Sequence, residues 1–264
     1  MDLQLKGKLA FVSGSTAGIG LAIAKALAAE GAQVVVNGRT QARVSQAMDE
    51  IRRLHPSSRM VPFAGDLSEP RVAHAALHQF ERVDILVNNL GAFEPKPFEA
   101  ISDADWNAII ETNFMSGVRL SRGWLPKMKA AGWGRVIFIS SESAVNIPPE
   151  MIHYGVTKTM QVALARGLAE TTAGTGVTVN SVLAGPTRSE GAEKFLSDMA
   201  RSRGVSLAAI EKEFFQNVRP SSLLQRFATV EEVAAMVAFV ASPLSSATNG
   251  AALRVDGGVV RSIL

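Results

Sequence analysis

Seven short apolar runs without polar alternation constrain the fold of this chain more than any other feature. They are Leu9 to Val12, Val34 to Val36, Met60 to Phe63, Ile85 to Val87, Val136 to Ile139, Val177 to Val182 and Leu253 to Val255. A strand with one wet face alternates apolar and polar residues. An unbroken apolar run is covered on both faces, as in a parallel sheet. Between the runs lie longer Ala-rich, helix-favouring stretches. Leu21 to Glu30 ends at Gly31, a C-terminal stop signal, and Thr157 to Thr171 and Glu231 to Val240 are similar. Strand–helix–strand repetition means right-handed crossovers. The expected fold is α/β, a doubly wound parallel sheet of about seven strands with helices on both faces. No linker or repeat divides it, so residues 1–264 read as a single domain.

One stretch breaks the rhythm. Glu190 to Leu224 is a helix-favouring insertion before the last strand, carrying Phe195, Leu196, Met199, Phe214 and Phe215. Insertions after the carboxyl ends of parallel strands cover ligand sites. A substrate lid is therefore expected at about residues 189–226. With Phe93 and Phe98, the Phe residues of this segment suggest a partly apolar substrate.

Composition removes other classes. A chain of 264 residues that is 47% hydrophobic can bury a large core without staples. It has no Cys, which excludes disulfide scaffolds, thiol nucleophiles and thiolate metal sites, and no metal is expected. No apolar run approaches the ~20 residues of a bilayer span, and Met1 to Ser15 is not a signal peptide. A soluble cytoplasmic protein without a membrane partner is expected. Lys and Arg number 27 against 24 Asp and Glu, scattered along the chain, so no nucleic-acid partner is expected either.

Between the first strand and the first helix runs Ser13-Gly14-Ser15-Thr16-Ala17-Gly18-Ile19-Gly20. Glycines at this spacing allow a tight turn against a pyrophosphate, and the helix N-terminus adds free N–H groups and a positive dipole end. A Rossmann-type dinucleotide site is the expectation, with Gly14, Ser15, Thr16, Gly18, Ile19 and Gly20 as contacts. The free 2′-hydroxyl of NAD calls for an acidic residue at the end of the second strand. That strand ends Val36-Asn37-Gly38-Arg39-Thr40, with Gly38 where the carboxylate would stand. The Arg39 guanidinium suits a 2′-phosphate, so NADP(H) is expected over NAD(H). Arg43 is either a second contact or a surface residue.

The one Tyr of the chain is Tyr154, four residues before Lys158. Residues i and i+4 share a helix face. An ammonium beside a phenol is expected to lower its pKa from about 10 toward the range useful for proton transfer. Thirteen residues earlier, Ser140 and Ser141 follow the fifth strand, where either hydroxyl could hold a substrate oxygen. Asn113 lies in an otherwise helical stretch and could hold a water and a backbone kink.

In order along the chain stand Gly14-xxx-Gly18-Ile19-Gly20, Asp66-Leu67, Asn88-Asn89-Leu90-Gly91, Asn113, Ser141, Tyr154-xxx-Lys158, Asn180 to Gly185, and Val255-Asp256-Gly257-Gly258. Over nearly its whole length the chain resembles the classical short-chain dehydrogenase/reductases. The resemblance implies hydride transfer between NADP(H) and a ketone or secondary alcohol. It makes Tyr154 the acid/base, selects Ser141 to orient the substrate, and lets Lys158 bind the nicotinamide ribose and tune Tyr154. Asn113 would anchor a relay water. Asp66 and Leu67 would contact adenine, Asn88 and Gly91 would line the cofactor cleft, and Gly185, Thr187 and Ser189 would lie near the nicotinamide. It further implies a homo-oligomer, a tetramer or dimer. Leu90, Ala184 with the displaced Pro186, Thr187 and a short third helix depart from the family pattern. Within this reading a 3-oxoacyl-[acyl-carrier-protein] reductase is one alternative. A non-catalytic dinucleotide-binding sensor or scaffold is another, against which the complete Ser–Tyr–Lys set argues.

Overall fold

The computed structural model describes residues 1–263. Its strands are β1 (Leu9–Val12), β2 (Gln33–Gly38), β3 (Arg59–Ala64), β4 (Ile85–Asn88), β5 (Gly134–Ser141), β6 (Val177–Ala184) and β7 (Ala252–Val255). All pair in parallel in one sheet of order β3-β2-β1-β4-β5-β6-β7. Each expected strand is present. Six of the seven run one to four residues longer than their apolar runs, and in β2, β4 and β5 the polar residues Asn37, Asn88, Ser140 and Ser141 continue the ladder at its carboxyl end. The helices are α1 (Gly18–Ala29), α2 (Gln41–Leu54), α3 (Pro70–Gln79), α4 (Asp103–Ile110), α5 (Ser116–Ala130), α6 (Ile152–Glu170), α7 (Glu190–Arg203), α8 (Leu207–Glu213) and α9 (Val230–Ala241).

Alternate residues of the strands feed two apolar layers. Val12, Val34, Val36, Val87 and Val182 pack with α1, α2 and α9, through Ile23, Leu27, Ile51, Val233 and Val237. Phe11, Val35, Leu86, Val136, Phe138 and Val179 pack with α3, α5 and α6 on the other face. The short third helix is confirmed at ten residues. It fits because Gly123 of α5 faces Leu77, where any Cβ would come within 2.4 Å of a Leu77 methyl.

The insertion forms α7, α8 and a π-helical turn at Phe214–Val218. It carries its own small core of Leu196, Ala200, Ile210 and Phe215 with Phe227. Phe214, Phe215 and Phe227 stack on one another with centroids 5.0 to 5.1 Å apart. Phe214 and Phe215 therefore hold the insertion together, and the apolar substrate inferred from them loses that support.

Trp124 anchors the second layer. It is fully buried, packs 4.9 Å from Phe11, and donates Nε1–H to the Phe80 carbonyl at 2.8 Å. Trp124→Ala removes this packing and strands a buried carbonyl. Urea unfolding is expected to show a loss of about 3 to 5 kcal/mol with an unchanged fold.

Candidate active site

The turn after β1 is held from both neighbouring strands. Gly14 and Gly18 adopt positive φ (+62° and +53°), a conformation that favours glycine. From β2, Asn37 Oδ1 accepts from Gly14 N at 2.9 Å, and its amide donates to the Phe63 and Gly65 carbonyls. From β4, Asn89 Nδ2 donates to the carbonyls of Ser13 and Gly14, and the Ser13 hydroxyl accepts from Asn89 N and Leu90 N. Gly20 lies where a Cβ would meet the Gly14 carbonyl at 2.3 Å and Asn89 Nδ2 at 2.4 Å. Ala17 caps α1 without a side-chain hydrogen bond, so the N–H groups opening the helix stay available to a ligand.

The expected contacts divide. Thr16 leans over Gly38, whose missing Cβ would lie 2.3 Å from the Thr16 methyl, so a carboxylate at 38 has no room beside Thr16. Arg39 is exposed. Arg43 pairs instead with Glu190 of α7 at 3.4 Å. Ser15 is fully buried and its hydroxyl is spent on Val12 O and Asn37 N. Leu67 puts its side chain in the core. Asp66 accepts from the main chain and hydroxyl of Ser68. Asn88 is buried and donates to Ser121 Oγ at 3.1 Å, facing α5. Ser15, Leu67 and Asn88 thus shape the site from behind with their side chains. Ser189 caps α7 and its Cβ would lie 3.3 Å from a Cβ on Gly18, which sets the insertion against the turn. Thr187 is buried and donates to the Gly185 carbonyl, while Gly185 lies so close to the Asp256 backbone that a Cβ would come within 2.6 Å. Leu90 packs on Gly14.

At the carboxyl end of β5 the second group assembles. Ser140 is excluded as the outward hydroxyl, because it donates to the Lys158 carbonyl at 2.9 Å. Ser141 Oγ accepts from Ser143 N at 3.1 Å, and its hydroxyl lies near enough to the Tyr154 phenol to favour the phenolate. Lys158 Nζ lies 5.6 Å from the Tyr154 ring centroid and donates to the Ile139 carbonyl at 2.9 Å. Tyr154 is on the first turn of α6, which starts five residues earlier than its apolar pattern suggested. A Cβ on Gly91 would lie 3.4 Å from Lys158 Nζ and 3.7 Å from Asn113 Oδ1. Asn113 sits in a π-helical turn, Glu111–Met115, which is the expected kink. Its side chain exchanges hydrogen bonds with both main-chain groups of Ala92 and donates to Thr157 Oγ1.

Burial governs the electrostatics here. It pushes the Tyr154 phenol up to about 12, helped by the Glu142 charge and opposed by the Ser141 hydrogen bond and Arg219. Burial also brings the Lys158 ammonium down to about 8. The lowered phenol expected from the i, i+4 spacing is thus not what this structure holds, because desolvation is the largest effect on it. Sequence reasoning also missed a buried ion pair beside the phenol. Arg219 Nε reaches Glu142 Oε1 at 2.9 Å, and Nη1 reaches Glu150 Oε1 at 3.3 Å. Phe93 stands against the Tyr154 ring, with centroids 6.2 Å apart. Among the described residues no helix is long and apolar enough to cross a membrane, and no cluster of three or more His, Asp or Glu could hold a metal.

Comparison with known proteins gives the same arrangement a context. Residues 14–260 match the family model described as enoyl-(acyl carrier protein) reductase. The chain is 48% identical to the uncharacterized oxidoreductase YvaG of Bacillus subtilis, over all of both chains. It is 34% identical to a D-beta-hydroxybutyrate dehydrogenase of Cupriavidus necator, covering 97% of this chain and 99% of that one. The L-sorbose reductase of Gluconobacter frateurii, solved with NADPH and L-sorbose, superposes over all of both chains with a TM-score of 0.93 at 29% identity. With the strand order, the glycine turn and the Ser–Tyr–Lys group already in place, the chain belongs to the short-chain dehydrogenase/reductase family of oxidoreductases.

Proposed function

We propose that the protein interconverts a ketone and a secondary alcohol with NADP(H), using Ser141, Tyr154 and Lys158. The observation that carries this reading is the convergence of Ser141 at the end of β5 with Tyr154 and the buried Lys158 Nζ, 5.6 Å from the phenol ring, beside the glycine turn. The residues fit a dinucleotide. The uncapped start of α1 suits a pyrophosphate, and exposed Arg39 beside Gly38 suits a 2′-phosphate. When bound, the cofactor supplies or accepts the hydride.

The protein groups handle the oxygen. Ser143 N occupies a lone pair of Ser141 Oγ, which leaves the Ser141 O–H to donate to a substrate carbonyl. A phenol held near 12 stays protonated at neutral pH, the form needed to give a proton to a developing alkoxide. The Lys158 cation favours the phenolate left behind. Phe93 offers an apolar wall against the Tyr154 ring, and the Glu142–Arg219 pair adds charge beside the phenol. A small ketone bearing a polar substituent suits both better than a long acyl chain.

Oxidation of NADPH should be followed across a ketone panel. Tyr154→Phe is expected to lower kcat about a thousandfold. Undiminished turnover in that variant would sink the assignment. Arg39→Asp is expected to lower kcat/KM for NADPH by about ten- to a hundredfold while sparing NADH. Equal use of both cofactors by the native protein contradicts the NADP preference. The Lys158 shift also has a signed consequence for stability. Between pH 8 and 10.5 the folded protein has shed a proton that the unfolded chain still holds, so native stability rises with pH. Relative to Lys158→Met, the native protein should gain about 1 to 3 kcal/mol between pH 8 and 10 in thermal melts.

A further inference from the structure

Gln161 is 1% exposed, on α6 three residues after Lys158, and nothing in the proposed chemistry uses it. Its Nε2 donates to the main-chain carbonyl of Asn113, in the π-helical turn. Its Oε1 faces Lys158 Nζ at 3.4 Å. One amide orientation alone satisfies both ends, since the Asn113 carbonyl can only accept and an ammonium can only donate. Burying a carboxamide is costly unless both halves are bonded, and an apolar side chain would fill the space without that cost.

We propose that Gln161 is a positioning residue whose amide bridges Lys158 Nζ to the Asn113 carbonyl. The amide donates through nitrogen and accepts through oxygen, so it fixes the place and charge of Lys158 without carrying a proton. The ammonium also donates to Ile139 O of β5 and lies beside Gly91 after β4, both uncharged. Tyr154, on the same helix, is its titratable neighbour. Among the described residues, the bridge and Ile139 O supply the two acceptors this cation meets. The inference rests on the catalytic reading of Tyr154 and Lys158 given above.

The test uses 15N-lysine NMR titration of the full chain, without cofactor. There are nine Lys in the chain, and Lys158→Arg identifies the signal. Gln161→Leu removes an acceptor without admitting a charge, so Lys158 should titrate about one unit below native. Gln161→Glu sets a carboxylate beside it, so Lys158 should titrate above native. Gln161→Asn, too short to reach both ends, should behave as Gln161→Leu and serves if the latter does not fold. Opposite shifts from two folded variants are the expected result, since loss of packing alone would not move the lysine both ways. The alkaline limb of kcat should move with the NMR values, with kcat at pH 7 down about tenfold in Gln161→Leu and KM for the ketone little changed. A native titration in both folded variants overturns the bridge. Shifted titrations beside full turnover in Tyr154→Phe would uphold the bridge and overturn the catalytic reading instead.

Discussion

A tight turn that keeps its own N–H groups free for a ligand must be held by something else. In this chain the holders are two asparagines and a serine at the ends of adjacent strands. Asn37 on β2 and Asn89 after β4 grip the turn from opposite sides, and the Ser13 hydroxyl locks the β4 exit to the β1 exit. Each bond depends on the parallel register, which sets Val12 beside both Val36 and Val87. The register in turn depends on the two apolar layers that cover the sheet. The ligand-facing geometry is thus a direct product of the core, and Gly20 is small because Asn89 needs the space.

The sheet was legible because burial on both faces leaves an unmistakable mark in one dimension. The seven apolar runs map onto seven strands, and the Gly-rich turn and the Tyr–Lys spacing stand at their ends. What the sequence concealed are contacts between distant segments. Nothing local shows that Arg219 lies against Glu142, 77 residues away, or that Ser140 rather than Ser141 turns inward. The Phe residues of the insertion misled for the same reason. Apolarity reports that a side chain will be buried, not which surface it will bury against, and Phe214 and Phe215 chose each other and Phe227. The i, i+4 rule likewise places Lys158 near Tyr154 but is silent on solvent, and here solvent exclusion dominates both groups.

That exclusion has a chemical consequence. Desolvation always penalises the charged form, so it drives a phenol up and an ammonium down. The Tyr154 and Lys158 values of about 12 and 8 leave the pair in its protonated-phenol state at neutral pH. Only a charge developing at the bound carbonyl, or positive charge brought in beside the ring, favours moving the phenol proton. In the proposed chemistry, a site built this way holds its acid ready and resists losing the proton to water beforehand.

The same logic explains why the polar groups around Lys158 are main-chain carbonyls and amides rather than carboxylates. A carboxylate would hold the ammonium as a tight pair and cancel much of its field. Neutral acceptors such as Ile139 O and Gln161 Oε1 keep the cation solvated enough to exist, yet leave its field uncancelled. The buried carboxylate beside the phenol, Glu142, is paired with Arg219 rather than with Lys158. Because Arg219 comes from the segment returning from the insertion, the charge balance beside Tyr154 is completed only when that segment is seated. Leu223 N and Leu224 N bonded to Gly257 O, and Ser221 bonded to Val259 O, are what seat it. The C-terminal Asp256-Gly257-Gly258 loop, far from the phenol in sequence, therefore helps set the electrostatics of the phenol through Arg219.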